Sequence, residues 1–384
     1  MRNPYNKNLL LSLGLIFLIL FCNVFLNRLV DPYGYFSEPR ITNFNENKIY
    51  INRNRSVLGA KPNTLILGSS RAYLGLNPKD TAWQGRKVFN LASGGDNIFD
   101  SFHLLEHASE NGKVQEVYLM VDFFMFNAIR KPYKKEEYKF LSSISTNENM
   151  TKTNIFGSLF SFKTLIHSFG TVIGQQKYTS DLMDYGLFSF NSGFPSHSKF
   201  LSIESSFYKV HYRNFAIKTA DTNMLDGFKA IINYAHKNNI KLTIGISPMH
   251  SRLLEVIAVA GLWDDFENWK ISLANLMSPE NYRDLPNQFM LYDFATFNQF
   301  TSEEGPLQNK HRNVEWFSDP SHYDRKLGTK IINRMFGIPQ EDSQFGVLID
   351  TSNIQEHLLK VKHERSLWRK QHPMHFNEIQ SMIR

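Results

Sequence analysis

From Leu9 to Val30 the chain reads LLLSLGLIFLILFCNVFLNRLV, twenty-two residues with no charge before Arg28. At about 1.5 Å per residue, a helix of this length reaches across a hydrocarbon core of roughly 30 Å. Only Asn23 and Asn27 break its apolar character. A cleaved signal peptide needs a shorter apolar region and a small-x-small site, and the following VFLNRLVDPYGYF offers neither. Leu20 and Phe21 are too bulky for lipoprotein processing at Cys22. The pattern predicts an uncleaved single span over 9–30, residues 1–8 in the cytoplasm, and the rest outside. Arg2 and Lys7 favour that orientation, while Arg28 weakens the bias. A buried soluble helix is the alternative, and its length counts against it.

Residues 31–61 read as a tether, rich in Asn and Arg with little periodicity. Beyond them, apolar runs alternate with helical patterns. Strands are expected at Asn63–Gly68, Lys87–Ala92, Glu116–Val121, Ile240–Ile246 and Phe289–Phe294. Helical periodicity appears at Asn97–Glu110, Ser161–Gln176, Asp221–Asn239, Trp263–Met277 and Asp324–Phe336. Near-continuous apolar strands, each followed by a helix, predict a doubly wound parallel α/β sheet over 62–338. The rhythm breaks between about 127 and 219, where a helical cap insertion is expected. Residues 339–384 are expected as a basic helical extension, either packing its Leu face on the domain or resting on an anionic membrane surface.

Composition excludes several classes. An apolar fraction of 42% with 32 Phe supports a substantial core rather than bulk disorder. The formal charge of +7 is dispersed, so nucleic acid is not an expected partner. A single cysteine leaves no internal disulfide and no CxxC site. No HExxH, P-loop or GxSxG motif occurs, and no cofactor or metal cluster is visible.

The chemistry-bearing residues lie where the first strand ends, in LILGSSRAYLGLNP. Ligands of open α/β sheets bind at the carboxyl ends of strands, which is where Ser69, Ser70 and Arg71 fall. Alone, a serine there reads as a helix N-cap. A nucleophile needs a base and a carboxylate that orients it, and WFSDPSHYDRKLG supplies Asp319 and His322 just before the last helix of the domain. His250, after the fourth strand, is a substrate-lining candidate, although a structural histidine is the simpler reading. Asp293 is expected to orient a loop.

With these residues in place, the chain resembles the SGNH (GDSL-like) hydrolases and their acyltransferase relatives, a family with a flavodoxin-like sheet. It resembles most their membrane-anchored branch, the envelope polysaccharide O-acetyltransferases. Gly68-Ser69-Ser70 stands for the first family motif and Asp319-x-x-His322 for the last. FNLASGGDN stands for the second, with Asn90 matching and Ala92 where a glycine is common. The third motif departs: the family's Gly-x-Asn-Asp is replaced here by VYLMVDFFMFN, which brings Asp122 and, further on, Asn127. An ionised carboxylate beside a developing oxyanion would raise the barrier, so Asp122 must point away or be neutralised. Arg71 is a candidate for that compensation, for binding an anionic acceptor, or for a surface ion pair.

The resemblance implies Ser70 as nucleophile, His322 as base, Asp319 as its orienter, and the Ser70 and Ala92 amides as oxyanion donors. Arg71, Asn90, Asp122, Asn127 and His250 are candidate substrate contacts. It further implies acyl transfer or ester hydrolysis on an envelope polysaccharide outside the cytoplasmic membrane, fed by a membrane acyl-donor partner and needing no cofactor. The other reading is a non-catalytic glycan-binding or assembly protein that keeps the fold.

Overall fold

The computed structural model describes residues 4–32, 43–44, 49–109, 114–129, 156–173, 176–177, 184–187, 195–278, 289–307, 314–339 and 345–383. Six strands form the main sheet: β1 (Thr64–Gly68), β2 (Val88–Asn90), β3 (Glu116–Val121), β4 (Lys241–Ile246), β5 (Phe289–Asp293) and β6 (Val347–Leu348). Their order is β2-β1-β3-β4-β5-β6; the first five are parallel and β6 runs antiparallel at the edge of β5. The five runs expected from sequence are the five parallel strands. No pattern announced β6, because two residues are too few to show one.

The helices are α1 (Pro4–Val30), α2 (Ile49–Ala60), α3 (Ser70–Gly75), α4 (Ile98–Ser109), α5 (Phe162–Ile173), α6 (His197–Phe207), α7 (Met224–Lys237), α8 (Ser251–Val259), α9 (Trp263–Leu276), α10 (Arg325–Met335), α11 (Ile354–Gln371) and α12 (Pro373–Ile383). Successive strand side chains point to opposite faces, and each face is covered. Leu65, Leu67, Leu119 and Ile244 face one core, filled by α4, α7, α8 and α9. Ile66, Tyr118 and Met120 face a second core, filled by α3 and α10. This two-sided burial explains why the strands read as apolar runs rather than as alternation.

Both flanks join the domain more closely than the sequence implied. Within the expected tether, α2 places Val57 in the first core. Beyond residue 338, β6 extends the sheet while α11 and α12 bury Leu358, Val361, Trp368 and Ile379. Buried charge fastens this segment. Glu255 of α8 accepts from Arg365 and Arg369 of α11, and Asp293 at the end of β5 accepts from Lys270 Nζ (2.6 Å) and His357 Nε2 (2.8 Å). The basic helix therefore packs on the domain, as the first of its two expected readings had it.

Within α1, Asn8–Val30 is long and apolar enough to cross a membrane, with a mean hydropathy of 2.8. Of the expected cap, α5 and α6 are described, and residues 130–155 lie outside the described set.

Candidate active site

The chain leaves β1 to form β2 on one side and later returns to form β3 on the other. The strand order, not the strand direction, reverses there, which opens a crevice at the carboxyl ends of β1 and β3. Gly68 closes β1 with φ +135°, and a Cβ at that position would run into the Met120 carbonyl of β3. Only glycine brings the next two residues into the crevice.

Ser69 and Ser70 divide the work. Ser69 is the N-cap of α3: its Oγ accepts from the Arg71 amide (3.2 Å) and donates to Asp122 Oδ2 (2.5 Å). Ser70, half-buried as the first residue of α3, donates its hydroxyl proton to His322 Nε2 at 2.8 Å. On the far side of the ring, Nδ1 donates to Asp319 (3.0 and 2.9 Å to its two oxygens). These partners set the tautomer, with the proton on Nδ1 and a lone pair on Nε2 aimed at the serine. Asp319 Oδ1 also accepts from the amides of Ser321 (2.9 Å) and His322 (3.0 Å). Burial opposes ionisation of Asp319, but the hydrogen bond from His322, with that from the Ser321 amide, holds its carboxyl below the usual carboxylate range. The three residues expected to act together are brought into one hydrogen-bonded chain.

Asp122 directly follows β3 and accepts from the Ser69 hydroxyl. It is sealed from solvent and neutralised: Arg71 Nη1 lies 2.5 Å from Oδ1, and neither side chain is exposed. Arg71 Nε also donates to Ser321 Oγ (3.1 Å), inside the Asp-Pro-Ser-His loop. One guanidinium thus ties the residue after β3 to the loop that carries His322. Of its three expected roles it fills charge compensation, and its burial rules out a surface ion pair. The phenols of Tyr212 and Tyr323 are fully buried beside this pair. Their burial pushes both upward, with the Asp122 carboxylate adding to the effect, so both remain neutral.

Three other candidates are spent on architecture. Asn90 Nδ2 donates to the carbonyls of Ala72 (3.1 Å) and Leu76 (2.9 Å), and its Oδ1 accepts from the Ala92 amide (3.1 Å). The Ala92 amide expected to face an oxyanion is therefore engaged. Asn127 donates to the carbonyls of His211 (2.9 Å) and Asn214 (3.0 Å), pinning the loop after β3 to the end of the insertion. His250 caps α8, accepting from the Arg252 amide through Nδ1 and donating from Nε2 to the Glu303 carbonyl (2.8 Å). Burial and the nearby Arg252 cation push its imidazole down to about 3, so it stays neutral. Its backbone amide donates to the Pro320 carbonyl (3.1 Å), so it braces the triad loop rather than lining the cleft.

Two contributors were not expected. Gly94 has open space where a Cβ would stand, apart from Ser70 Cβ at 3.9 Å. Among the described residues, neither the Ser70 nor the Gly94 amide has an acceptor. The Gly94-Gly95 pair after β2 was the available signal. Lys199, from α6, donates to the Ser318 carbonyl (2.7 Å) and lies 3.8 Å from Asp319 Oδ2. The insertion thus reaches the acidic end of the triad.

Glu304, His372 and His375 form a group of metal-like composition. Its chemistry argues otherwise: Arg252 Nη1 donates to His375 Nδ1 (2.5 Å), which leaves that ring's proton on Nε2, toward Glu304 Oε1 at 3.4 Å. A nitrogen that carries a proton cannot ligate a metal. Compared with known proteins, the chain matches no family model and has no significant match among curated proteins.

Proposed function

We propose that this protein is a serine-dependent O-acyltransferase or esterase of the SGNH type, on a doubly wound sheet, acting outside the cytoplasmic membrane on an envelope glycan. The hydrogen-bonded Ser70–His322–Asp319 chain carries the proposal. In this reading Ser70 Oγ attacks an acyl carbonyl and its proton passes to His322 Nε2. Asp319 stabilises the imidazolium that results. The Ser70 and Gly94 amides hold the oxyanion, replacing the donor that the altered third motif lacks. Collapse breaks the bond to the leaving oxygen, which takes the proton from His322. A sugar hydroxyl or water then attacks the acyl-serine by the same steps in reverse. Anchoring at a membrane, away from cytosolic acyl donors, favours transfer fed by a membrane partner.

A fluorophosphonate reacts only with an activated serine. The full chain in detergent micelles, treated with such a probe and weighed intact, is expected to gain one adduct, and Ser70→Ala is expected to gain none. Folded wild type that takes up no probe would replace this reading with that of a glycan-binding or assembly protein.

A further inference from the structure

α5 is built inside out for a helix on a protein surface. Phe162, Ile166, Phe169 and Ile173 form one stripe at i, i+4, i+7 and i+11, and they are 61%, 69%, 55% and 78% exposed. The opposite stripe, Thr164, Ser168 and Thr171, is buried. A surface helix in water turns its apolar side inward. Phe156 and Phe160, just ahead of α5, are also more than half exposed.

The buried polar stripe packs on the end of α1, against the two asparagines that interrupt the apolar run. Asn27 Nδ2 donates to the Leu159 carbonyl (2.9 Å) and to Asn23 Oδ1 (2.9 Å). Asn23 Nδ2 donates to the Phe160 carbonyl (3.0 Å), and Ser168 Oγ donates to Asn27 Oδ1 (2.9 Å). Small hydroxyl residues and paired amides are the means by which helices associate where no water is present. An unpaired amide at lipid depth is costly, and here both are paired.

Length fixes the depth. The part of α1 that stands clear of the domain, from Asn8 to Cys22, spans only about 22 Å, short of the roughly 30 Å of hydrocarbon. A span needs the last two turns as well, and those are the turns that α5 covers. Lys163 is the one Lys, Arg, Asp or Glu among residues 156–173, and its long stem can carry the ammonium to the headgroups.

We propose that residues 156–173 are embedded in the bilayer beside the domain-proximal end of α1, with the Phe162–Ile166–Phe169–Ile173 stripe against lipid acyl chains. The proposal rests on reading α1 as a membrane span. α5 packs on α1, and both helices carry large exposed apolar side chains, so lipid rather than a second protein is the occupant of its stripe. Two attachments, not one, then fix how the domain is turned on the membrane.

The test uses the full chain in phosphatidylcholine–phosphatidylglycerol nanodiscs. With Cys22→Ser as background, single cysteines Phe162→Cys, Ile166→Cys and Phe169→Cys are spin-labelled, beside Leu15→Cys on α1 and Lys237→Cys on the domain. All five side chains are exposed, so none of the substitutions disturbs packing. Collisions with dissolved oxygen are expected to exceed those with a water-soluble nickel chelate at 162, 166 and 169, as at 15, with the reverse at 237. Nickel access at the three α5 positions, with oxygen access at 15, would overturn the proposal and leave the anchor standing. Exclusion of both quenchers from α5 would mean that a protein covers it, and would also overturn the proposal. Nickel access at 15 as well would remove the anchor reading itself.

Discussion

Arg71 Nη1 and Asp122 Oδ1 meet at 2.5 Å with neither side chain open to solvent, and the same guanidinium, one residue after Ser70, bonds Ser321 next to His322. Removing one partner of a buried pair leaves the other uncompensated, at a cost of about 3–5 kcal/mol. Arg71→Met should therefore lower the thermal midpoint sharply. Pairing it with Asp122→Leu should recover most of that loss. The double variant still lacks the Arg71–Ser321 bond, so its rate of fluorophosphonate labelling should stay low. Recovery of stability and rate together would show that the pair does not position the triad loop.

Gly68→Ala should destabilise the fold, through the φ of +135° and the Met120 carbonyl that a Cβ would strike. Backbone conformation alone accounts for about 1–3 kcal/mol of this. Chemical denaturation measures it; an unchanged midpoint would mean that the crevice end of β1 relaxes freely.

Gly94 lies in open space beside Ser70. Gly94→Ala should leave stability and labelling nearly as they are. Gly94→Leu should fold normally yet label more slowly by about 100-fold, since displacing the reacting group by about 1 Å has that scale of effect. Equal labelling rates for the glycine and leucine forms would place the incoming carbonyl elsewhere.

His250 gives stability a pH dependence of definite sign. Its folded value, pushed down to about 3, lies below the ordinary 6.5. Between those values the unfolded chain binds a proton that the folded chain does not. The contribution is therefore complete above about 6.5 and falls away as pH drops toward 3. His250→Gln keeps a donor for the Glu303 carbonyl but cannot titrate. The stability gap between wild type and this variant, from denaturant midpoints, should narrow steadily from about pH 7 to pH 5. A constant gap would show that the imidazole titrates equally in both states.

The sheet was legible in the sequence because a parallel strand buried on both faces is a short apolar run, and five such runs are present. The triad was legible because Asp319 and His322 are close in sequence and precede the last helix of the domain, while Ser70 follows the first strand. Other features depend on contacts that no local pattern carries. The Asn90–Ala92 bond depends on which way one side chain turns, so the Ala92 amide looked free. The Arg71–Asp122 pair depends on β1 lying next to β3 with Gly68 opposite Met120. α2 was hidden by an Asn- and Arg-rich composition, and α6 by the break in the α/β rhythm. β6 was hidden by its length.

Ser70 and His322 are 252 positions apart along the chain. At a synthesis rate of about 5–20 residues per second, Ser70 leaves the ribosome about 10–50 s before His322. Through that interval Ser70 lacks its His322 partner, while β1 can already pair with β2 and β3. A growing or truncated chain therefore cannot hold this contact: it forms only once a loop made late in synthesis returns to the end of a strand made long before.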